Sequence, residues 1–314
     1  MMNLSDSSTP ARDGHPDILS AKAWIGKLGG SPVRPQSFAA SPVLAIGHFR
    51  FDGLAEEVEC PKLPFHYISV ALGGPLVIEA CLGGEKVKGR VLPGQSLIMA
   101  AERSNVWRWD RPTEEAHVFL HAEFLDRIAD EAGNGRADIS DRLAFTDTPL
   151  RHTILALTEE MQRPGSISPL FFDMAADVIA RRILFRHCQK DGKAGANTAG
   201  ANTAGALTAR QLRRVLSLVE DRLSEDISLD DLAGAAGLSR FHFVRAFKTA
   251  VGTPPHRWLV GLRIKRAKEL LLSRTTTIIE VASLVGFESQ SHFGQVFLSH
   301  VGMPPREWRR RALS

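Results

Sequence analysis

The 314-residue sequence predicts an α+β protein of two domains: an N-terminal β-sandwich or barrel with added helices, then an all-α domain of two helix-turn-helix units. Three observations support this prediction. Short apolar runs separated by Gly and Pro turn signals occupy residues 41–123, as in small antiparallel sheets. A pentamer repeat of small and polar residues follows at 190–206. A helix-turn-helix pattern then occurs twice between Ser228 and Trp308.

The composition is that of a soluble globular protein, with 44% hydrophobic and 24% charged residues. Cys60, Cys81 and Cys188 show neither close pairing nor ligand spacing, which argues against a disulfide framework and a zinc site. The N-terminus lacks a signal-peptide pattern, and no apolar run approaches the ~18 residues that a membrane helix needs. We therefore expect a cytoplasmic protein that does not bind a membrane.

The first 40 residues predict a loosely ordered N-terminal arm, because they are rich in Ser, Pro, Gly and Asp. One short helix is expected around Ile18–Leu28. Residues 41–189 then predict a domain with strands first and helices after them. The expected strands are Val43–Ile46, Tyr67–Leu72, Leu76–Ile78, Ser96–Met99 and His117–His121; the expected helices are Leu125–Ala132, Leu150–Met161, and a third from Pro169, capped by Ser168, to about Cys188.

Two tryptophans in this domain are candidates for a ligand pocket. Trp107 and Trp109 share one face of a predicted strand, with Arg108 on the other face. Aromatic side chains supply much of the surface of ligand sites, so the two rings could line an effector pocket. The same spacing also suits two residues of an ordinary core.

Residues 190–206 predict a flexible linker, because Gly-Ala-Asn-Thr-Ala occurs twice and such residues cannot bury a core. A separate C-terminal domain is expected over 207–314, and a fragment from about Ala206 should fold and bind its ligand alone. This domain carries 17 Lys and Arg against 10 Asp and Glu, a net +7, whereas the first 206 residues carry 22 against 25, a net −3. A basic domain of this kind is expected to bind phosphates.

The C-terminal domain contains an internal repeat: one sequence unit occurs twice, at an offset of 50 residues. Each copy predicts a helix, a tight turn and a second helix, at about 228–251 and 277–301, with a connecting helix at about 254–272. The matching positions are Phe243, Phe247, Gly252, Pro254, Pro255 and Trp258 in the first copy and Phe293, Phe297, Gly302, Pro304, Pro305 and Trp308 in the second.

Local signals mark where the helices of each unit begin and end. Ser228 with Asp231, and Thr277 with Glu280, are Ser/Thr-x-x-acid capping boxes. A glycine ends the first helix of each unit, where a positive φ costs least. The second helix of each unit then has an apolar back and a polar front, which reading the major groove of DNA requires.

The C-terminal domain resembles the DNA-binding domain of the AraC/XylS family of bacterial transcription regulators. The shared signature is Gly286-Phe287-x(5)-Phe293-x(3)-Phe297, followed by Gly302-x-Pro304-Pro305-x-x-Trp308-Arg309. The resemblance implies a sequence-specific DNA-binding transcription regulator rather than an enzyme, with no cofactor. Two residues of the second unit depart from the family pattern: Gln295 stands where many members carry Arg, and Leu298 where Lys or Arg is usual.

Base contacts are expected from the outward faces of the second helices. Arg245 is the candidate for a bidentate contact to guanine, with Phe241 or Val244 against a thymine methyl group. The base-reading candidates are Phe241, Val244, Arg245, Gln290, Ser291, His292 and Gln295. The phosphate-binding candidates are Ser239, Lys248, Arg257 and Ser289.

The resemblance also has implications for the N-terminal domain. Residues 93–98 are similar to a turn and strand of the cupin-type sensor domains attached to this family. The implied partners are a small-molecule effector, promoter or operator DNA, a second copy of the chain, and RNA polymerase if the protein activates. In the family, helices corresponding to 150–161 and 168–188 pair two subunits, although packing on their own sheet competes with that interpretation.

Cupins often bind a metal through histidines and a glutamate. His117, His121 and Glu123 share a face of the predicted strand, but the His-x-His pair of the usual cupin motif is missing, so we expect no metal. Two alternatives stay open: a cupin-type metalloenzyme with an accessory DNA-binding domain, and a DNA-binding regulator without an effector.

Overall fold

The computed structural model describes residues 21, 25–26, 28–34, 38–82, 84–131, 135–163, 167–188 and 205–313, without the side chains of 54–56. Most of the expected short helix around 18–28, and nearly all of the expected linker at 190–206, therefore lie outside the described residues. Within the described ranges, none of the helices combines the length and the apolar character that a membrane crossing requires.

Eleven strands are described in the N-terminal part. They are β1 (Ser31–Pro32), β2 (Phe38–Ala40), β3 (Leu44–Phe51), β4 (Leu54–Cys60), β5 (Phe65–Ala71), β6 (Leu76–Leu82), β7 (Glu85–Val91), β8 (Ser96–Met99), β9 (Asn105–Trp109), β10 (Thr113–His121) and β11 (Arg142–Phe145). The larger sheet has the order β1-β3-β10-β5-β8-β11, with β2 also paired to β3, and the smaller has the order β4-β9-β6-β7.

The two faces of the larger sheet serve different cores. Side chains alternate along β10, so that Val118 and Leu120 face the helices whereas Phe119 faces the smaller sheet with Trp107 and Trp109. The predicted strands are present in this region. The structure adds β4 and β7, which the sequence analysis missed because both are rich in charged residues and lack a clear apolar alternation.

The described residues of the expected N-terminal arm are packed, whereas the expectation of a loosely ordered arm concerns mostly residues outside the described ranges. Ala21, Ile25 and Leu28 are buried in the core between the two sheets. The short strands β1 and β2 both pair with β3. Their apolar side chains are too few to predict strands from periodicity, and their placement depends on the sheet that they join.

Ten helices follow in the described residues: α1 (Ala122–Glu131), α2 (Thr148–Met161), α3 (Pro169–His187), α4 (Ala209–Arg222), α5 (Leu229–Ala236), α6 (Arg240–Val251), α7 (Pro255–Leu271), α8 (Ile278–Leu284), α9 (Gln290–Val301) and α10 (Pro305–Ala312). Ser168 caps α3 as predicted. Helix α7 begins one residue later than expected, because Pro254 takes the N-cap position and Pro255 the first helical position.

One hydrophobic core joins the N-terminal domain to the first helix-turn-helix unit. It includes Val178 of α3, Val215 of α4, Phe247 of α6 and Trp258 of α7. This differs from the expectation that the linker separates two independent cores. The pentamer repeat carries no information on the surfaces of the helices on either side of it, and these surfaces are apolar enough to pack together.

Polar contacts cross the same boundary. The Trp258 indole N–H donates to the Asp177 carboxylate at 3.1 Å, and the Lys265 ammonium lies 3.4 Å from Asp173. Helix α3 is buried along most of its length by these and by apolar contacts. It therefore packs within its own chain, on the neighbouring helices rather than on the sheet of the competing interpretation, and its pairing of two subunits stays a prediction.

Candidate DNA-binding interface

The first helix-turn-helix unit consists of α5, a tight turn and α6. The Ser228 hydroxyl accepts the Asp231 backbone N–H at 3.1 Å, and the Asp231 carboxylate accepts the Ser228 N–H at 2.9 Å, which forms the predicted capping box. These bonds from Ser228 hold the pKa of Asp231 below its usual value, with Arg222 contributing. Gly237 ends α5 in the left-handed conformation at φ 65°.

The second unit repeats this arrangement with α8 and α9. Thr277 and Glu280 form its capping box. Gly286 follows α8 at φ 77°, and a Cβ there would lie 2.6 Å from both the Leu223 carbonyl oxygen and Arg263 Nη2. Glycine is thus required by the backbone angle and by the close approach of the Leu223 carbonyl at the C-terminal end of α4.

Helix α6 presents a basic and aromatic outer face. Phe243 and Phe247 are fully buried, whereas Phe241 is 74% exposed. Arg245 and Lys248 are exposed, and neither forms an ion pair within the described part of the chain. Val244 is half-buried between the two faces. The guanidinium and ammonium groups are therefore available to an external partner.

Helix α9 presents a polar outer face with little positive charge. Phe293 and Phe297 are fully buried. The expected reading residues Gln290, Ser291, His292 and Gln295 are all exposed, and so is Leu298. This face carries no Lys or Arg, so it has less positive charge than the outer face of α6.

The predicted phosphate-binding serines cap the two reading helices. The Ser289 hydroxyl accepts the His292 N–H at 3.2 Å. The Ser239 hydroxyl accepts the His242 N–H at 3.5 Å and also lies 2.9 Å from His242 Nδ1. Each serine thus fixes a helix N-terminus whose free N–H groups favour anions. Arg257 is exposed in the first turn of α7 and has no ion-pair partner among the described residues.

The sequence analysis missed a basic groove beside the first unit. We call it the arginine groove; it has a volume of about 620 Å³ and is lined by Arg163, Arg210, Arg213, Arg214, Ser217, Leu218, Asp221, Arg222 and Ala235. Arg213 and Arg214 follow Arg210 by three and four residues on α4, a spacing that the sequence already contains. The signal was overlooked because only the apolar face of this helix was considered.

The tryptophans proposed for an effector pocket line an inter-sheet cavity of about 40 Å³. It is enclosed by Leu28, Phe51, Tyr67, Leu76, Ile78, Leu97, Trp107, Trp109, Thr113, Glu115 and His117. Trp107 and Trp109 also belong to the core between the sheets, as the other interpretation of these residues held, and their contact with an effector stays a prediction. The Trp109 indole N–H donates to the Asp52 carbonyl oxygen at 2.7 Å.

The expected metal-ligand face does not form. His117 and His121 lie on the same side of β10, but Glu123 belongs to the first turn of α1, so the prediction of one strand face for all three was wrong. The strand ends at His121 because α1 begins at the next residue. No group of three or more potential ligands is placed to hold a metal in the parts of the chain that the structure describes.

Two capped helix pairs, each with a buried phenylalanine pair and an exposed polar helix, define a tandem helix-turn-helix DNA-binding domain. A family described as "Helix-turn-helix domain" matches residues 232–311. The HTH-type transcriptional regulator GbdR of Pseudomonas aeruginosa is 38% identical over 100 residues, which cover 32% of this chain and 27% of that protein.

Other relatives match the same part of the chain. The HTH-type transcriptional regulator MtrA of Neisseria gonorrhoeae is 31% identical over 101 residues, which cover 32% of this chain and 34% of MtrA. A solved AraC-type regulator from Chromobacterium violaceum is 35% identical and has a TM-score of 0.30, covering 32% of this chain and 90% of that one. This chain thus spans about a third of the length of these curated relatives. Over residues 232–311 the chain thus matches a helix-turn-helix domain of the AraC type.

Proposed function

We propose that the protein is a sequence-specific transcription regulator whose two helix-turn-helix units read adjacent major-groove segments of promoter or operator DNA. The observation that carries this proposal is the pair of exposed polar faces on α6 and α9, each backed by buried phenylalanines. The net charge of +7 over residues 207–314 supports phosphate binding by the same domain. The cytoplasm, where bacterial DNA lies, is the proposed compartment.

In this proposal the two faces contribute unequally to DNA binding. Arg245 reads guanine, and Phe241 or Val244 contacts a thymine methyl group. Gln290, Ser291, His292 and Gln295 read the second segment through hydrogen bonds. Ser239, Lys248, Arg257 and Ser289 contact phosphates and set the register. Exposure of these side chains supports the assignment, and the absence of Lys and Arg from the α9 face makes the first unit the main source of affinity.

Replacing Arg245 with Ala is expected to cost about 1–3 kcal/mol of specific binding, because a bidentate base contact is lost. Lys248→Ala is the matched control on the same helix face: it should weaken operator and random DNA alike and reduce the salt slope by about one unit. Both are measured by fluorescence anisotropy at several salt concentrations. Equal losses on operator and random DNA for Arg245→Ala would assign this residue to phosphate rather than to base.

The connecting helix predicts the spacing of the two DNA segments. Helix α7 has 17 residues, which span about 26 Å at 1.5 Å each. With the offset of each reading helix, the two contacts should lie about one turn of B-DNA, ~34 Å, or roughly 10–11 base pairs apart. Inserting five base pairs between them turns one segment to the opposite side of the duplex, so operator affinity should fall by at least about tenfold.

A ten-base-pair insertion is the control. It returns the two segments to the same side of the duplex but doubles the distance between them. Footprinting should then show protection of one segment only. Undiminished affinity after the five-base-pair insertion would mean that a single unit is engaged, and the basic face of α6 identifies that unit as the first.

We further propose that the N-terminal domain is a cupin-like sensor of a small molecule. Two antiparallel sheets around an inter-sheet cavity lined by Trp107 and Trp109 support this proposal. A homodimer is the proposed assembly, through a surface other than the buried α3, and RNA polymerase is a further partner if the bound protein activates. Sedimentation of the intact protein tests the dimer, since a monomer at micromolar concentration would contradict it.

A further inference from the structure

The inter-sheet cavity contains a buried carboxyl group without a balancing cation among the described residues. Glu115 lines the cavity and is 7% exposed. Burial raises the pKa of its carboxyl group, and a hydrogen bond from Ser69 opposes that rise. No Lys or Arg lies among the described lining residues. The carboxylate form would therefore need a positive charge that these residues do not supply.

The imidazole nearest to this carboxyl group does not supply the charge. His117 Nε2 lies 3.8 Å from Glu115 Oε2. Burial lowers the pKa of His117 to about 3, so that the ring is neutral at physiological pH. Its Nδ1 is already hydrogen-bonded to the Tyr67 hydroxyl. Nε2 has no hydrogen-bond partner in the described part of the chain.

A second buried polar atom on the cavity wall also lacks a partner. Trp107 Nε1 forms no hydrogen bond with the described residues, although the ring is only 6% exposed. An indole N–H can only donate. Leaving a buried donor without an acceptor is unfavourable, and an acceptor on a ligand in the cavity would satisfy it.

Aromatic rings enclose the same space. Phe51, Tyr67, Trp107 and Trp109 are all lining residues, and Phe51 packs edge-on against Trp109 with ring centroids 5.9 Å apart. The faces of Trp and Tyr attract cations, most strongly when water is excluded. The cavity disfavours anions, because it presents a buried carboxyl group and π-electron density and has no positive charge among its described lining residues.

We propose that the inter-sheet cavity binds the ammonium group of a small organic amine, with Glu115 as the counter-charge and the Trp107 N–H donating to an oxygen of the same ligand. This inference rests on the proposed sensor function of the N-terminal domain. The volume of about 40 Å³ suits a small amino alcohol headgroup rather than a drug-sized ligand. Trp107 and Trp109 place two fluorescent rings at the site, so binding has a direct optical signal.

The test is titration of the intact protein with ethanolamine, with ethylene glycol and glycolate as its neutral and anionic counterparts of similar size. Ethanolamine is expected to show saturable binding with a Kd of about 1 mM or tighter by tryptophan fluorescence and calorimetry. The other two compounds should bind at least about tenfold more weakly. Equal binding of ethanolamine and ethylene glycol, or no saturable binding of ethanolamine, would overturn the proposal.

Two variants separate the charge from the hydrogen bond. Glu115→Gln keeps the shape and should weaken ethanolamine by at least about tenfold, while Trp107→Phe should abolish the preference for ethanolamine over ethylamine. Thermal unfolding of each variant checks that it is folded. Unchanged ethanolamine affinity in Glu115→Gln would contradict the assigned counter-charge. Operator binding is measured separately. Operator binding without amine binding would contradict this inference only, whereas the absence of operator binding would contradict the proposed function.

Discussion

Replacing Arg182 with Met is expected to lower the free energy of unfolding by about 3–5 kcal/mol, because it leaves a buried carboxylate without its main cation. Arg182 Nη2 lies 2.9 Å from Asp147, and the two side chains are only 3% and 2% exposed. Burial raises the pKa of Asp147, but the His187 hydrogen bond and the Arg182 charge lower it by more, so that it is about 2. In the wild-type protein the carboxylate is therefore charged at neutral pH, and Arg182→Met removes the cation that offsets its burial.

Arg182 also reaches the reading helix of the first unit. Its Nη1 donates to the Thr249 carbonyl oxygen at 2.6 Å, near the C-terminal end of α6. Loss of this bond should weaken the packing of α6 against α3. It should also weaken operator binding at temperatures where the variant is still folded. The matched control is Arg186→Met in the same helix, at a position without an ion pair in the described residues, where a change within about 0.5 kcal/mol is expected.

Urea unfolding at pH 7 measures both variants. Similar unfolding free energies for Arg182→Met and Arg186→Met would show that the buried pair contributes no more than a surface arginine. A stability loss without any change in operator affinity would show that the bond to Thr249 does not position α6.

Acidification from pH 6.5 to pH 4 is the second condition with a large expected effect. Burial lowers the pKa of His66 to about 4, in spite of opposing charges from Asp126 and Asp141, and lowers that of His117 to about 3. An unfolded chain binds these protons near pH 6.5. The stabilising contribution of each neutral ring is complete above pH 6.5 and is lost as pH falls toward the folded value.

The expected loss is about 1.4 kcal/mol per pH unit for each histidine, or roughly 3 kcal/mol each at pH 4. Asp147 has a dependence of the same sign in a lower pH window: the stabilisation from its depressed pKa is complete above about pH 4 and is lost as pH falls toward 2. The histidines should therefore dominate the first phase of acid unfolding, and the carboxylate the second.

Urea unfolding at pH values between 4.5 and 7 tests the histidine phase. His117→Gln should reduce the slope of the unfolding free energy against pH by the amount that corresponds to about one proton, whatever its effect on stability at pH 7. His256→Gln, at an exposed position of α7, is the control and should leave the slope unchanged. An identical slope in the wild type and in His117→Gln would contradict a buried neutral imidazole at position 117.

The sequence alone determined the features that depend on residues close along the chain. The capping boxes at Ser228 and Thr277, the positive φ of Gly237 and Gly286, and the apolar face of each reading helix all follow from side chains within about four positions of one another. These features also locate the DNA-binding candidates, because the residues opposite the apolar face of an amphipathic helix are exposed.

Only the tertiary structure decided the contacts between distant segments. The shared core, the Arg182 bond to Thr249 across 67 positions and the Trp258 bond to Asp177 across 81 join two parts that the linker repeat separates in sequence. The buried Glu115 likewise became notable only once two sheets placed it among aromatic rings. Periodicity shows which side of an element is apolar but not which surface covers it, since that choice depends on the shape and the charge of both partners.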